Sequence, residues 1–120
     1  MPRAAPGEVV STSTVIRYQG MVDLAAGNVA SIGTFFSAQF GRALPVSAWG
    51  QTPVHDRLGL DHRHALDVAV RPDSDEGEAL IAYLRREGVP FLAFKGPVPG
   101  ASTGAHIHIG EHVDPVHADV

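Results

Sequence analysis

Cysteine is absent from the 120 residues of this chain, and its absence restricts how a protein of this size can fold. No disulfide bond and no cysteine-ligated metal is available to hold a small domain together. The chain must therefore fold around a hydrophobic core, and its length suffices for one modest core and not for two. Thiolate catalysis is excluded as well, so any metal site needs histidine and carboxylate ligands.

The composition excludes several classes of protein. A hydrophobic fraction of 44% and a charged fraction of 18% are typical of a globular domain. The net charge is −4 and the nine Lys and Arg residues are scattered, which argues against nucleic acid as a partner. No apolar run approaches the roughly 18 residues of a membrane span. Residues 1–10 lack the apolar stretch of a signal peptide, which leaves the compartment open because a domain cut from an exported precursor would look the same.

Two helices are predicted from the spacing of apolar residues. Asn28 is a candidate N-cap for a helix over 29–40, which Gly41 ends. Ser74 is a candidate N-cap for a second helix over 75–87, with acidic residues in its first turn and arginines in its last turn.

Strands are predicted where β-branched and apolar residues cluster between Gly- and Pro-containing segments. The segments with this composition are 9–18, 45–49, 66–70, 91–95 and 105–109. The fold class that follows is α+β, with a small central antiparallel sheet that contains 66–70 and 105–109 and has both helices packed on it. We expect a flexible segment over 1–8, a single domain over 9–112 and a loose tail over 113–120.

The first concentration of chemistry is His106 and His108 in the sequence GAHIHIG. Residues two apart on a strand point to the same face, so both imidazoles are expected to emerge side by side while Ile107 faces the core. Two adjacent imidazoles favour a metal site or a neutral catalytic role, because they repel each other when both are protonated. The alternative is a solvent-exposed polar face without a function.

The second concentration is the segment 55–70, HDRLGLDHRHALDVAV. Imidazole and carboxylate groups are zinc ligands, and three protein ligands with one open position mark a catalytic site. Asp67 lies within an apolar strand, where a buried carboxylate needs a compensating partner such as a cation. The alternative is that Arg63 or backbone amides satisfy Asp67. The other possible ligands in this segment are His55, Asp56, Asp61, His62 and His64.

These two motifs resemble a superfamily of zinc peptidases. STGAHIHIG is similar to the GPHLH-type strand of lysostaphin-type endopeptidases, and HRHALD is similar to the His…Ala-x-Asp element of D-alanyl-D-alanine carboxypeptidases. Both groups share a zinc site with the hedgehog signalling domain, and the order of elements over 28–110 fits as well. The resemblance implies a hedgehog-like or D-Ala-D-Ala-peptidase-like fold, a Zn²⁺ cofactor and an extracytoplasmic location. It also implies hydrolysis of amide bonds in peptidoglycan stem or cross-bridge peptides, which contain D-amino acids.

Carried over residue by residue, the resemblance makes His62, Asp67 and His108 the zinc ligands. His55 is the alternative to His62, because the spacing of five from His62 to Asp67 differs from both family patterns. His106 becomes the general base or transition-state donor, since the acidic base of the carboxypeptidases has no counterpart here. His64 is expected to point away from the metal. Gln51 and Arg57 are candidates for holding the substrate carbonyl or carboxylate.

Two other functions remain as alternatives. The same fold could bind zinc without catalysis and act as an adaptor module, as in the hedgehog comparison. A His/carboxylate iron oxygenase on a small β-barrel is the other, and it is disfavoured because two long helices interrupt the strands. The sequence leaves the bond cleaved, endo versus exo specificity and the oligomeric state open.

Overall fold

Six strands and two helices occupy the part of the chain that this computed structural model describes, residues 9–12, 14–22, 24, 26–49, 65–100 and 102–110. The helices are α1 (Ala26–Phe40) and α2 (Asp75–Glu87). The strands are β1 (Val9–Ser11), β2 (Val15–Tyr18), β3 (Val46–Trp49), β4 (Ala65–Val68), β5 (Phe91–Phe94) and β6 (His106–Gly110).

The strands form one sheet in the order β1-β2-β5-β6-β4-β3, and every neighbouring pair is antiparallel. The prediction of an α+β fold with a central antiparallel sheet and two helices is therefore confirmed. The strands predicted over 66–70 and 105–109 are direct neighbours, β4 and β6, in the middle of the sheet. In the described part of the chain β1 and β3 are the edge strands of an open sheet. These strands therefore do not close into the barrel that the iron-oxygenase alternative requires.

One face of the sheet and both helices enclose the hydrophobic core. Ile32 and Phe36 of α1 and Leu80 and Leu84 of α2 are fully buried, because their spacing of four places each pair on one side of its helix. They pack against alternate residues of the central strands, namely Leu66, Val68, Phe91, Ala93, Ile107 and Ile109.

The second helix begins and ends where the sequence predicts, and each end has a physical cause. The Ser74 hydroxyl accepts a hydrogen bond from the Gly77 amide at 3.0 Å, which satisfies one of the free donors of the first turn. At the other end Gly88 adopts the left-handed conformation with φ 75°, and its amide donates to the Arg85 carbonyl. The helix therefore spans Asp75–Glu87 as predicted.

The start of the first helix differs from the prediction. The helix begins at Ala26, so Asn28 lies within its first turn and is not the residue that precedes it. Alanine is the strongest helix former, and a side chain that can cap a helix does not prevent an earlier start. The predicted end is confirmed, since the helix stops at Phe40 and Gly41 follows with φ 69°.

The two helices contact each other through rings and one ion pair. The rings of Phe35 and Tyr83 stack with their centroids 4.2 Å apart. Arg42, just beyond α1, donates from Nε to Oε2 of Glu76 at 2.9 Å. That hydrogen bond lowers the pKa of the Glu76 carboxyl below its ordinary value. These contacts fix the two helices relative to each other on one face of the sheet. The opposite face is not covered by either helix.

The predicted boundaries of the domain fall on residues that are not described, since the segment 1–8 and the tail 113–120 both lie outside the described ranges. None of the helices in those ranges is long and apolar enough to cross a membrane.

Two helical glycines provide a test of the packing. A Cβ on Gly77 would lie 2.0 Å from the backbone oxygen of Arg71, whereas a Cβ on Gly33 of α1 would meet nothing within 4 Å. We expect Gly33→Ala to stabilise the protein by about 0.5–1 kcal/mol, because alanine favours the helix. We expect Gly77→Ala to destabilise it by about 1–3 kcal/mol through overpacking. Equilibrium urea unfolding measures both, and a stabilised Gly77→Ala variant would contradict the contact between α2 and Arg71.

Candidate active site

The candidate site lies on the face of the sheet opposite the helices. In the register of β4 and β6, Asp67 is directly opposite His108, and Leu66 is opposite Ile109. Because side chains alternate along each strand, Leu66 and Ile109 enter the core while Asp67 and His108 emerge on the other face. His106, two residues before His108, shares that face.

Asp67 and His108 are in direct contact. Nδ1 of His108 lies 3.1 Å from Oδ1 of Asp67, within hydrogen-bond distance. Both groups are removed from water, since the side chains are only 3% and 13% exposed for the histidine and the aspartate. A carboxylate at this depth needs a compensating donor or cation, and the imidazole provides a donor.

His106 approaches the same carboxylate oxygen through its other ring nitrogen. Its Nε2 lies 3.7 Å from Oδ1 of Asp67. Its Nδ1 lies 3.0 Å from the carbonyl oxygen of Gly104. The ring also stacks on Phe94, the residue opposite it on β5, with centroids 5.0 Å apart and planes inclined by 25°. The structure therefore brings Asp67, His106 and His108 together and holds the His106 ring on two sides.

Asp67 and His108 fit two positions of a zinc site. Two ligands about 2.0–2.2 Å from a tetrahedral ion lie about 3.3–3.6 Å apart. The observed 3.1 Å between Oδ1 and Nδ1 reaches that separation with a shift of a few tenths of an ångström. Among the residues with described positions, no three His, Asp or Glu side chains are arranged as a metal-binding group. Two members of the predicted set are present in that part of the chain, and the third is not among the described residues.

A cavity of about 260 Å³ opens beside His106 and Asp67. Its wall includes Ser47, which lies at a β-bulge where β3 and β4 lose their regular register. A bulge redirects a side chain out of the regular alternation, and bulges are frequent beside active sites. The remaining lining residues are small: Ala69, Thr103, Gly104 and Ala105. The site therefore has room for a ligand next to its ionisable groups.

A larger open cleft of about 380 Å³ lies at the C-terminal part of α2 and is lined by Tyr18, Ala82, Arg85 and Arg86. Neither a carboxylate nor an imidazole is among its described lining residues. Tyr18 donates from its hydroxyl to the Arg85 carbonyl at 3.3 Å, which is a structural contact between β2 and α2. The smaller cavity is therefore the candidate active site.

The other predicted site residues are not described by the structure. His55 and His62, the two candidates for the first zinc ligand, lie in the segment 50–64, outside the described ranges. Gln51 and Arg57, the candidates for holding the substrate, lie in the same segment.

Three residues at the site were not predicted from the sequence. Ser47 lines the cavity because of a bulge, which leaves no signal in the sequence. Phe94 stacks on His106, and the only signal is that FLAF is apolar at every position, as in strands buried on both faces. Ser102 contacts the His106 ring from the small-residue loop that precedes β6.

Comparison with known proteins adds no relative. The sequence matches no protein-family model, and no curated protein or solved structure matches the chain.

The contact between Asp67 and His108 predicts a graded loss of stability in the metal-free protein. We expect Asp67→Asn to lower the free energy of unfolding by about 1 kcal/mol, because a neutral acceptor replaces a charged one. Asp67→Ala should cost about 2–3 kcal/mol, because the imidazole loses this acceptor altogether. Denaturant unfolding in the presence of a chelator measures both, and equal stability of the three proteins would show that the contact contributes nothing.

Proposed function

We propose that this chain is a zinc-dependent peptidase-like domain that hydrolyses amide bonds in peptidoglycan stem or cross-bridge peptides. The observation that carries the proposal is the convergence of two imidazoles on one carboxylate, with Oδ1 of Asp67 3.1 Å from His108 and 3.7 Å from His106. Asp67 and His106 also line a cavity. Buried ionisable groups that converge beside a cavity are typical of catalytic sites.

In this proposal Asp67 and His108 hold the metal, with His62 or His55 as the third ligand. The two described ligands come from adjacent strands of a sheet, so the backbone hydrogen bonds of β4 and β6 fix their separation. Metal sites depend on such preorganised ligands. The chemistry that a bound zinc ion supplies is Lewis acidity toward the scissile carbonyl and the attacking water.

His106 carries the proton in the proposed reaction. Its Nε2 accepts a proton as the water oxygen bonds to the carbonyl carbon. The same nitrogen then returns that proton to the amide nitrogen as the C–N bond breaks, which leaves a carboxylic acid and an amine. A histidine suits both steps because a nitrogen of the imidazole ring can accept a proton and then release it.

The substrate class rests on the similarity of GAHIHIG and HRHALD to peptidases of cell-wall peptides, and an extracytoplasmic location accompanies it. The cavity volume of about 260 Å³ suits small substrate residues. Gln51 or Arg57 would hold the substrate carbonyl or carboxylate.

One observation favours the non-catalytic alternative, a zinc-binding adaptor module of the same fold. Among the described lining residues, Asp67 is the only carboxylate, so a second carboxylate to serve as the base is not found there. Zinc bound at the expected ratio, combined with no cleavage of peptidoglycan, would favour this alternative.

Metal analysis combined with digestion of whole peptidoglycan tests the proposal and separates the two histidine roles. We expect His106→Ala to retain one zinc per chain and to lower the rate of hydrolysis by about 10²–10⁴-fold, because a base is not a ligand. His108→Ala should lose both tight zinc binding and hydrolysis.

Thr34→Ala is the control, because Thr34 is an exposed residue of α1, the helix that packs on the other face of the sheet. It should match the unaltered protein in zinc content and rate. Equal loss of zinc from the His106 and His108 variants would show that both imidazoles are ligands.

A second pair of replacements identifies the third ligand. We expect His62→Ala to abolish tight zinc binding, because His62 lies five residues before Asp67 in the sequence and a short turn between them would let both reach one metal. His55→Ala should retain zinc binding, because His55 lies farther from Asp67 in the sequence and would be held less rigidly as a ligand. Zinc titration measures both, with His64→Ala as a third variant. Loss only in the His55 variant would reverse the assignment, and retention in both would point to Asp61 or His64.

A further inference from the structure

The loop before β6 folds back on itself immediately beside His106. Val98 and Ser102 exchange two backbone hydrogen bonds, from the Val98 amide to the Ser102 carbonyl at 3.0 Å and from the Ser102 amide to the Val98 carbonyl at 2.8 Å. Gly100 allows the tight turn between them with φ 76°. The turn buries Ser102, which is only 8% exposed, so its hydroxyl is fixed in place rather than solvated.

The Ser102 hydroxyl joins a closed set of hydrogen bonds with Gly104 and His106. Its oxygen lies 2.6 Å from the Gly104 carbonyl, to which it donates, and it accepts from the Gly104 amide at 3.2 Å. The same oxygen lies 3.3 Å from Nδ1 of His106. Since the only hydroxyl proton is directed to the carbonyl, the oxygen can only accept from that nitrogen.

The Gly104 carbonyl sets the same requirement on the ring. A carbonyl oxygen only accepts, and it lies 3.0 Å from Nδ1 of His106. Both neighbours of Nδ1 are therefore acceptors, so Nδ1 carries the proton in the neutral ring. Nε2 then has the free lone pair, and it is the nitrogen 3.7 Å from Oδ1 of Asp67.

We propose that Ser102 is a positioning residue that fixes His106 in the Nδ1-protonated tautomer and so makes Nε2 the reacting nitrogen. The assignment of Nε2 as the proton acceptor in hydrolysis rests on the proposed function, whereas the tautomer does not. Phe94 helps to hold the orientation of the His106 ring by stacking on it, since rotation about the Cβ–Cγ bond of His106 would disrupt the stack. Ser102 itself contacts no reacting atom and acts through His106.

Nitrogen-15 NMR of the histidine rings tests the tautomer directly in the full-length protein, with and without added zinc. We expect the neutral His106 ring to carry its proton on Nδ1. In Ser102→Ala the Gly104 carbonyl loses the hydroxyl that holds it at 2.6 Å, so neither acceptor is fixed beside Nδ1. We therefore expect a mixture that includes the Nε2-protonated form, while Ser102→Thr, which keeps the hydroxyl, restores the original tautomer. Thr103→Val is the matched control, because it removes the neighbouring hydroxyl of the same loop and should leave the tautomer unchanged.

The kinetic readout is the rate on purified peptidoglycan. Ser102→Ala should lower kcat about tenfold or more with KM changed less than about twofold, because a misplaced base affects the transition state and not substrate binding. A structural role alone would lower the amount of folded protein, which the amide spectrum reports, and would leave kcat per folded molecule unchanged.

Two outcomes overturn the inference: an Nε2-protonated ring in the unaltered protein, or an unchanged tautomer in folded Ser102→Ala. The first needs no variant, so it decides even if the substitution prevents folding. The expected tautomers combined with no hydrolysis by any form of the protein would support the positioning by Ser102 and overturn the proposed function alone.

Discussion

The register between β4 and β6 is the constraint on which the candidate site depends. Asp67 and His108 meet because they are direct partners in this antiparallel pair, and their neighbours Leu66 and Ile109 are partners in the core. A slip of one residue would send the apolar pair to the polar face and the ionisable pair into the core. The burial that stabilises the core therefore also sets the distance between the two candidate ligands. Because the two properties share one cause, the ligands need no further contacts to be brought together.

Both faces of the central strands are buried. On the face away from the helices, a polar side chain therefore needs a hydrogen-bonding or charged partner. Leu92, Phe94 and His108 are each less than 9% exposed on the side away from the helices. A lone carboxylate there would be costly, so Asp67 is stable only beside a donor or a cation. His106 is held by the backbone carbonyl of Gly104 at 3.0 Å, and its Nε2 is farther from Asp67, at 3.7 Å. The two imidazoles, although two residues apart, thus have different supports and are suited to different roles.

The sequence predicted the elements well where local signals agree and less well where the outcome depends on pairing. The second helix was predicted to the residue because Ser74, its acidic first turn and Gly88 all mark the same limits. The start of the first helix at Ala26 was missed because a capping side chain such as Asn28 shows only that a helix can begin there. It does not prevent the helix from beginning earlier. The shared face of His106 and His108 follows from the period of two, and the structure agrees with it. The bulge at Ser47 and the hydrogen bonds of Ser102 depend on contacts across strands and within a turn, which no local pattern encodes.

The contact between Asp67 and His108 has two chemical interpretations that share one geometry. At 3.1 Å the two atoms form a hydrogen bond when Nδ1 carries a proton. When Nδ1 carries no proton, the same distance is close to the separation of two ligands on a tetrahedral metal ion. Metal binding would displace that proton, so zinc competes with the hydrogen bond and does not simply add to it. The hydrogen bond compensates the buried carboxylate in the absence of metal, so the fold would form before any ion binds. The same bond would lower the net gain from the proposed zinc ion by its own contribution, about 1.5–3 kcal/mol for a charge-assisted bond. If Asp67 and His108 are ligands as proposed, the pair would give up some affinity for zinc in return for a site that is already assembled before the metal binds.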